Sequence, residues 1–508
     1  MKKLFQSVLV MLCLALTLTG CAGGGTASPK PENEEQPSGE PVQGGTYVMR
    51  SHGDPNSFNP NMKTDDLQLP ATYNIFNRLV KMTVDNHVVP DLATDWEFSE
   101  DGMELTFNLR ENVKWHDGEP FTSADVKWTY DTAIAEKWSK ADNLSNIDSI
   151  ECPDDNTVVM NLKYPDVSLI AKLSWYGMFI MPKHLYENTD TATNEYNMKP
   201  VGTGPFKFVE FQKGVRVVLE RNEDYWGDKA KVAKVIYSII PDATTAYQAF
   251  RTGEVDYYTA IPSQNANDFD NDPDYEVYPV IGMNRSYVTV TNDTFKDARV
   301  RQAIAYGIDR QMIWDRCAGG TGAVASTFIA PNTGFADEKY QMPERDVAKA
   351  QQLLEEAGFK KDANGIYFST EMKFFESGYF KDAATIIQSN LKEVGIDVKL
   401  TMLEYAAWVD NVKVNHDFEM TMAAGYQGPD VSGISGRVGT GTSMNFMGYS
   451  NPELDALLEK GVQISDETER KAVYSEVQRI MSEEMPIILF IDNGAKVPVK
   501  KILKGTPY

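Results

Sequence analysis

Hydrolytic chemistry in this chain would have to start from a serine or a histidine. Gly433-Ile434-Ser435-Gly436-Arg437 comes nearest to a nucleophile elbow, but arginine stands where the motif needs its second glycine. His52, His87, His116, His184 and His416 are scattered, and neither HExxH nor a paired-cysteine zinc motif occurs. No metal or cofactor is therefore implied, and a surface hydrolase using Ser435 remains a distant alternative. His116-Asp117 has the makings of a catalytic or metal pair, yet it sits in Trp115-His116-Asp117-Gly118, where Asp-Gly signals a tight turn. Gly202-Thr203-Gly204 lacks a third glycine at position 207 and opens no helix, so it does not read as a nucleotide loop.

The clearest chemistry belongs to Cys21. Lys2 and Lys3 precede a short apolar run, Val8 to Leu18, which falls short of the roughly 20 residues a bilayer span needs and reads as a cleavable export signal. Leu18-Thr19-Gly20-Cys21 follows with the spacing of a lipoprotein-processing site, so residues 1–20 would be removed and the Cys21 thiol acylated. Two or three acyl chains anchor a protein stably to a membrane. Residues 22–43 hold no aromatic side chain and cannot offset their ordering entropy by burial, so 21–43 form a lipidated linker with a reach of about 25 Å.

About 465 residues remain, more than one hydrophobic core usually serves, and at least two lobes are expected. The full chain has a formal charge of −24, which loss of Lys2 and Lys3 with the signal moves to −26; so acidic a body is soluble and is repelled by anionic lipid and nucleic acid, and no basic cluster suggests a nucleic-acid site. Of the four cysteines only Cys152 and Cys317 stay in the body, far apart in sequence.

The elements alternate without a repeat, which reads as α/β. Thr46-Tyr47-Val48-Met49 and Leu105 to Arg110 have strand character, and Thr122 can cap the helix that follows the Asp117-Gly118 turn. Asp242, Asp297 and Asn451-Pro452 mark further helix starts, while Gly253, Gly358 and Gly395 mark helix ends. Ile396 to Leu400 reads as a strand.

The stretch Leu109-Arg110-Glu111-Asn112-Val113-Lys114-Trp115-His116-Asp117-Gly118-Glu119-Pro120-Phe121-Thr122-Ser123-Ala124-Asp125-Val126 resembles the diagnostic segment of the bacterial extracellular solute-binding proteins, family 5. That family includes oligopeptide-, dipeptide- and nickel-binding proteins. Asp54 to Pro60, Pro90 to Trp96, Val201 to Phe208, Glu220 to Trp226, Gly253 to Asp256 and Val300 to Ile304 agree in the same order. The resemblance implies a two-lobed, periplasmic-binding-protein-like α/β fold that encloses a ligand between hinged lobes. Lobe I would take 44–82, 199–285 and 488–508, an inserted subdomain 83–198, and lobe II 286–487. Tyr287–Val290 and Pro486–Phe490 would be the crossing strands.

It further implies a monomeric, lipid-anchored receptor outside the cell membrane that delivers a small solute, in the first instance an oligopeptide, to the permease of an ABC importer. A sugar, a metal chelate or another small organic solute is the alternative cargo. Peptide binders of the family fix the ligand amine with a carboxylate after a Gly-Trp pair. Here Gly425-Tyr426-Gln427-Gly428-Pro429-Asp430 occupies that region, with tyrosine for tryptophan and the aspartate one residue late. By this resemblance Tyr405 and Tyr426 would wall the cleft, and Asp430 would take the ligand amine. Arg437 could pair a ligand carboxylate bidentately. Thr64 stands where some peptide binders place an acid.

Overall fold

The computed structural model describes residues 43–503, apart from 64–66, 84–85, 259–260, 263–264, 266 and 292–294. Cys21, the signal, nearly all of the linker and Thr64 lie outside the described residues.

Two four-stranded sheets build the first half. One runs in the order Thr46–Ser51, Lys234–Ile239, Arg216–Arg221, Phe206–Gln212, with only the first pair parallel. The other is antiparallel, in the order Ala93–Phe98, Glu104–Leu109, Thr157–Leu162, Ile147–Asp154. The burial of Leu105, Phe107 and Leu109 follows the period-two alternation of that strand. Helix Ser123–Ala135 begins at Thr122, whose N–H donates to Asp125 Oδ2 at 2.9 Å. The two sheets share one core, which includes Phe58, Phe76, Phe107, Phe206 and Leu219.

The second half is a six-stranded sheet in the order Ala323–Val324, Ile488–Lys500, Tyr275–Val290, Met420–Tyr426, Phe368–Phe375, Ile396–Leu403. The last three are mutually parallel neighbours. Helix Phe380–Val394 joins two of them and ends on Gly395, whose φ of 105° is a left-handed cap that glycine adopts without steric cost. Helices start where the sequence places them: the Asp242, Asp297 and Asn451 side chains accept from Thr245, Arg299 and both Glu453 and Leu454 amides.

The halves are joined by the antiparallel pair Tyr275–Val290 and Ile488–Lys500. Their register breaks between Ile281 and Arg285, opposite Gly494 and Asp492. The segments named from sequence, Tyr287–Val290 and Pro486–Phe490, lie deeper. Val288, Val290, Ile488, Leu489 and Phe490 are all part of the second half's core. The crossing itself therefore falls several residues nearer the first half, at 281–285 and 492–494. Away from the crossing, the halves also meet where the Val167 N–H donates to Val462 O at 2.8 Å and Asn86 Nδ2 to Asn332 O at 3.0 Å. Among the described residues no helix is long and apolar enough to cross a membrane.

Candidate ligand cleft

The three parallel strands of the second half end at Phe375, Leu403 and Tyr426, and it is just beyond such carboxyl ends that open α/β sheets bind ligands. In the antiparallel register Asn284 lies opposite Tyr426 and Ser286 opposite Ala424. Period two then places the side chains of Asn284, Ser286 and Tyr426 on one face. Beside them, Asn493 Nδ2 donates to Asn284 Oδ1 at 3.0 Å and to Ser286 Oγ at 2.9 Å. Tyr379 Oη donates to Asn493 Oδ1 at 2.6 Å and accepts from Ser286 Oγ at 2.7 Å, which closes a ring of three hydrogen bonds. Burial is the main cause pushing the Tyr379 phenol up to about 12, so it stays a neutral donor.

Two cavities flank this network. One, of about 480 Å³, is lined by Leu69, Tyr73, Ser139, Lys140, Trp175, Tyr176 and Tyr426, so both halves contribute walls. Its rings touch: Trp175 meets Tyr426 edge-on at 6.4 Å and Tyr176 at 5.1 Å. Lys140 Nζ lies 4.7 Å from the Tyr176 ring centroid, and the Arg78 guanidinium is 4.9 Å from both the Tyr73 and Phe179 rings. The other cavity, of about 450 Å³, is polar and is lined by Arg316, Cys317, Tyr379, Asp382, Asn493 and Lys496 among others. Tyr426 lines the first cavity and Asn493 the second; between them Asn284 lies opposite Tyr426 in the sheet and accepts from Asn493. Each volume falls within the range of small-ligand sites.

Tyr426 lines the aromatic end and is 53% exposed. Tyr405 is also exposed, but it stacks on Trp408 at 6.0 Å and meets Phe375 at 5.0 Å, and it lines neither cavity. In the structure Asp430 is paired with Arg470 and lines neither cavity. Arg470 Nη1 and Nη2 reach its two oxygens at 2.9 and 2.6 Å, and Asp430 Oδ1 also accepts from the Ser432 amide at 2.8 Å. Burial alone would raise its carboxyl; the hydrogen bonds and charge of Arg470 outweigh that and hold it below the ordinary aspartate value. Arg437 is buried as well. Its Nη2 donates to Tyr426 O at 2.8 Å, and its guanidinium lies 5.1 Å from the Tyr287 ring centroid. It holds the backbone that presents Tyr426 and lines neither cavity.

Tyr73, Lys140, Trp175, Tyr176, Tyr379 and Asn493 were not singled out from sequence. The adjacent aromatics of Trp175-Tyr176-Gly177 were the one local signal.

The motif residues that invited catalytic readings hold the first half together instead. Gly202 N–H donates to His116 Nδ1 at 3.2 Å, which leaves the Nε2 proton to reach Gly204 O at 3.0 Å. Burial is the main cause lowering the His116 ring to about 4; a second proton would also face the Gly202 N–H. His184 pairs with Asp117 at 2.9 Å. Among the described residues no cluster of three or more metal-ligating side chains occurs.

A family model, bacterial extracellular solute-binding proteins, family 5 Middle, matches residues 87–445, more than half of the chain. The chain belongs to family 5 of the bacterial extracellular solute-binding proteins. Family 5 members are binding proteins of extracellular or periplasmic location rather than enzymes. This family 5 chain is 28% identical to the oligopeptide-binding protein AppA of Bacillus subtilis over 533 residues, covering 100% of the chain and 96% of AppA. The solved structure of Bacillus subtilis AppA, in complex with a nonapeptide, matches with a TM-score of 0.74 and 27% identity over 92% of this chain and 97% of that one. NikA of Brucella suis, solved with Fe(III)-EDTA, matches with a TM-score of 0.81 and 26% identity over 90% and 95% of the two chains. These structural neighbours are two-lobed periplasmic binding proteins.

Proposed function

We propose that this protein captures a peptide in the cleft between its halves and delivers it to the permease of an ABC importer. The observation that carries this reading is the cleft itself. Both halves wall its aromatic part, the cavity beside Asn493 is polar, and Tyr426, Asn284 and Asn493 stand in a row between the two. Sequence likeness to an oligopeptide-binding protein along the whole chain supports a peptide as the cargo. A chain-crossing pair with a register break suits hinge motion, because a few dihedrals there can reorient two rigid bodies.

The exposed ring of Tyr426 and the half-buried ring of Trp175 are the recognition surface this reading depends on most. Tyr426→Ala should weaken peptide binding roughly 30-fold, the effect of removing a central aromatic anchor worth about 2 kcal/mol. Calorimetry with the intact protein and the variant reads this directly, and an unchanged affinity would count against the aromatic end as part of the site.

Cys21 is the proposed lipid anchor, on the strength of its placement after an apolar leader and before a linker without aromatic residues. Cys21→Ser should move the protein from the membrane fraction to the soluble one and abolish incorporation of labelled palmitate. Persistent membrane association of the variant would remove the anchor from the account. The scattered histidines and incomplete elbow at Ser435 support a receptor without catalytic activity.

A further inference from the structure

Arg316 and Asp382 face the same polar cavity at the crossing, and among the described residues neither makes a hydrogen bond or an ion pair. Their positions make this informative. Arg316 lies in the last turn of helix Arg310–Cys317, and Asp382 lies in the first turn of helix Phe380–Val394. The remaining cation on the wall, Lys496, is already committed, donating to Asn267 Oδ1 at 2.5 Å and Asp270 Oδ2 at 2.7 Å. Cys317 stands among them as a neutral thiol. Burial pushes it up to about 11, Asp382 adds to that rise and Arg316 opposes it, so both charges act on the same small space.

A cavity that presents one uncommitted cation and one uncommitted anion, not paired with each other, is complementary to a group carrying both charges. A free amino acid would supply these charges but would leave the aromatic end, beyond Asn284 and Tyr426, unused. A peptide can fill both ends. Its backbone would pass the Asn284, Ser286, Tyr379 and Asn493 network, whose amides and hydroxyls match main-chain donors and acceptors without regard to sequence. Its last residue would then reach the charged wall. A terminal carboxylate satisfies the Arg316 fork, for which planar guanidinium geometry is suited. That leaves Asp382 to meet a cationic side chain, and the volume of about 450 Å³ accommodates a long one.

We propose that the polar cavity receives the C-terminal residue of the peptide, with Arg316 binding its carboxylate and Asp382 selecting a lysine or arginine side chain. The inference rests on the peptide reading above and names the ligand class of that same cleft.

The test is calorimetry on the intact protein with four tripeptides that share their first two residues. Three end in lysine, alanine or glutamate with a free carboxylate, and the fourth ends in lysine amide. The lysine peptide should bind roughly fivefold tighter than the alanine peptide, the size expected of one partly exposed ion pair, and glutamate should rank last. In Asp382→Asn the lysine-to-alanine ratio should fall to about one. In Arg316→Gln the advantage of the free carboxylate over the amide should disappear. Both side chains are exposed, so thermal unfolding of the variants should match that of the parent and exclude misfolding as the cause. Equal affinities across the series, or a ranking that survives both substitutions, would overturn this assignment while leaving peptide binding intact. No binding of any of the four would overturn the peptide reading and this inference together.

Discussion

Arg470→Met should destabilise the protein by about 3–5 kcal/mol, the range seen when one partner of a buried ion pair is removed. Arg470 occupies a pocket where little can replace it. Its Nε donates to Gly461 O at 2.7 Å, its two terminal nitrogens hold Asp430, and its guanidinium lies 5.3 Å from the Phe335 ring and 5.6 Å from the Tyr474 ring. Methionine fills much of the volume but leaves the Asp430 carboxylate without its cation. The pH dependence should change sign. In the parent, Arg470 holds the Asp430 carboxyl below its ordinary 3.8, so this pair stabilises the fold above that pH and its contribution is lost as acidification proceeds through the lowered value. In Arg470→Met, burial without a partner raises the same carboxyl, so acid should restore part of the lost stability. Asp430→Asn combined with Arg470→Met should recover part of it at neutral pH. Chemical denaturation of the three proteins at pH 7, pH 5 and pH 3 measures all of this. Because Asp430 caps the turn that follows Tyr426, the single variant should also bind ligand more weakly.

Gly202→Ala should cost at least about 3 kcal/mol, and the protein is expected to fold poorly at 37 °C. A β-carbon at Gly202 would stand 1.9 Å from Ile75 O, and one at Gly204 would stand 2.5 Å from Asn74 O. These obstacles are backbone atoms, so no side-chain rotation relieves them. Glycine is needed here for close approach of two chain segments. Gly204 N–H donates to that same Ile75 carbonyl at 2.8 Å, so the contact cannot simply open. The helix under pressure, Leu69–Ile75, carries Leu69 and Tyr73 into the aromatic end of the cleft. Material that does fold should therefore show weakened binding. A melting temperature within a few degrees of the parent would show that the segment yields more readily than its geometry implies.

Local chemistry was the legible part of this sequence. Asp242, Asp297 and Asn451 announce their helices because a short polar side chain followed by an apolar stripe has few other uses, and Gly395 announces an end for the complementary reason. The diagnostic stretch around Trp115 to Val126 placed the family from one strand, one turn and one capped helix. The cleft was much less legible. Leu69, Tyr73, Lys140, Trp175, Tyr176 and Tyr426 come together only in three dimensions, and each is an ordinary side chain in its own neighbourhood. Asp430 shows the limit most clearly. Its position after Gly425-Tyr426 suggested a ligand carboxylate, but its partner lies 40 residues away on helix Glu467–Glu484, and no local pattern announces that pairing. Arg437 likewise turns inward to hold a carbonyl, a role set by the packing of its helical turn against Tyr287. The segments read from sequence as crossing strands lie on the core side of the register break at Ile281–Arg285, because a strand that runs from a core into a hinge keeps its apolar character on the core side alone.

Photo-crosslinking tests capture in the cleft most directly. A short peptide carrying a benzophenone side chain is irradiated with the intact protein, and the attachment points are read by mass spectrometry. Attachment confined to the segments around Tyr73, Trp175, Tyr379 and Tyr426, and competed by unlabelled peptide, is the result expected here. Attachment spread over the outer surface, or competition by a sugar or a metal chelate but not by peptide, would contradict it.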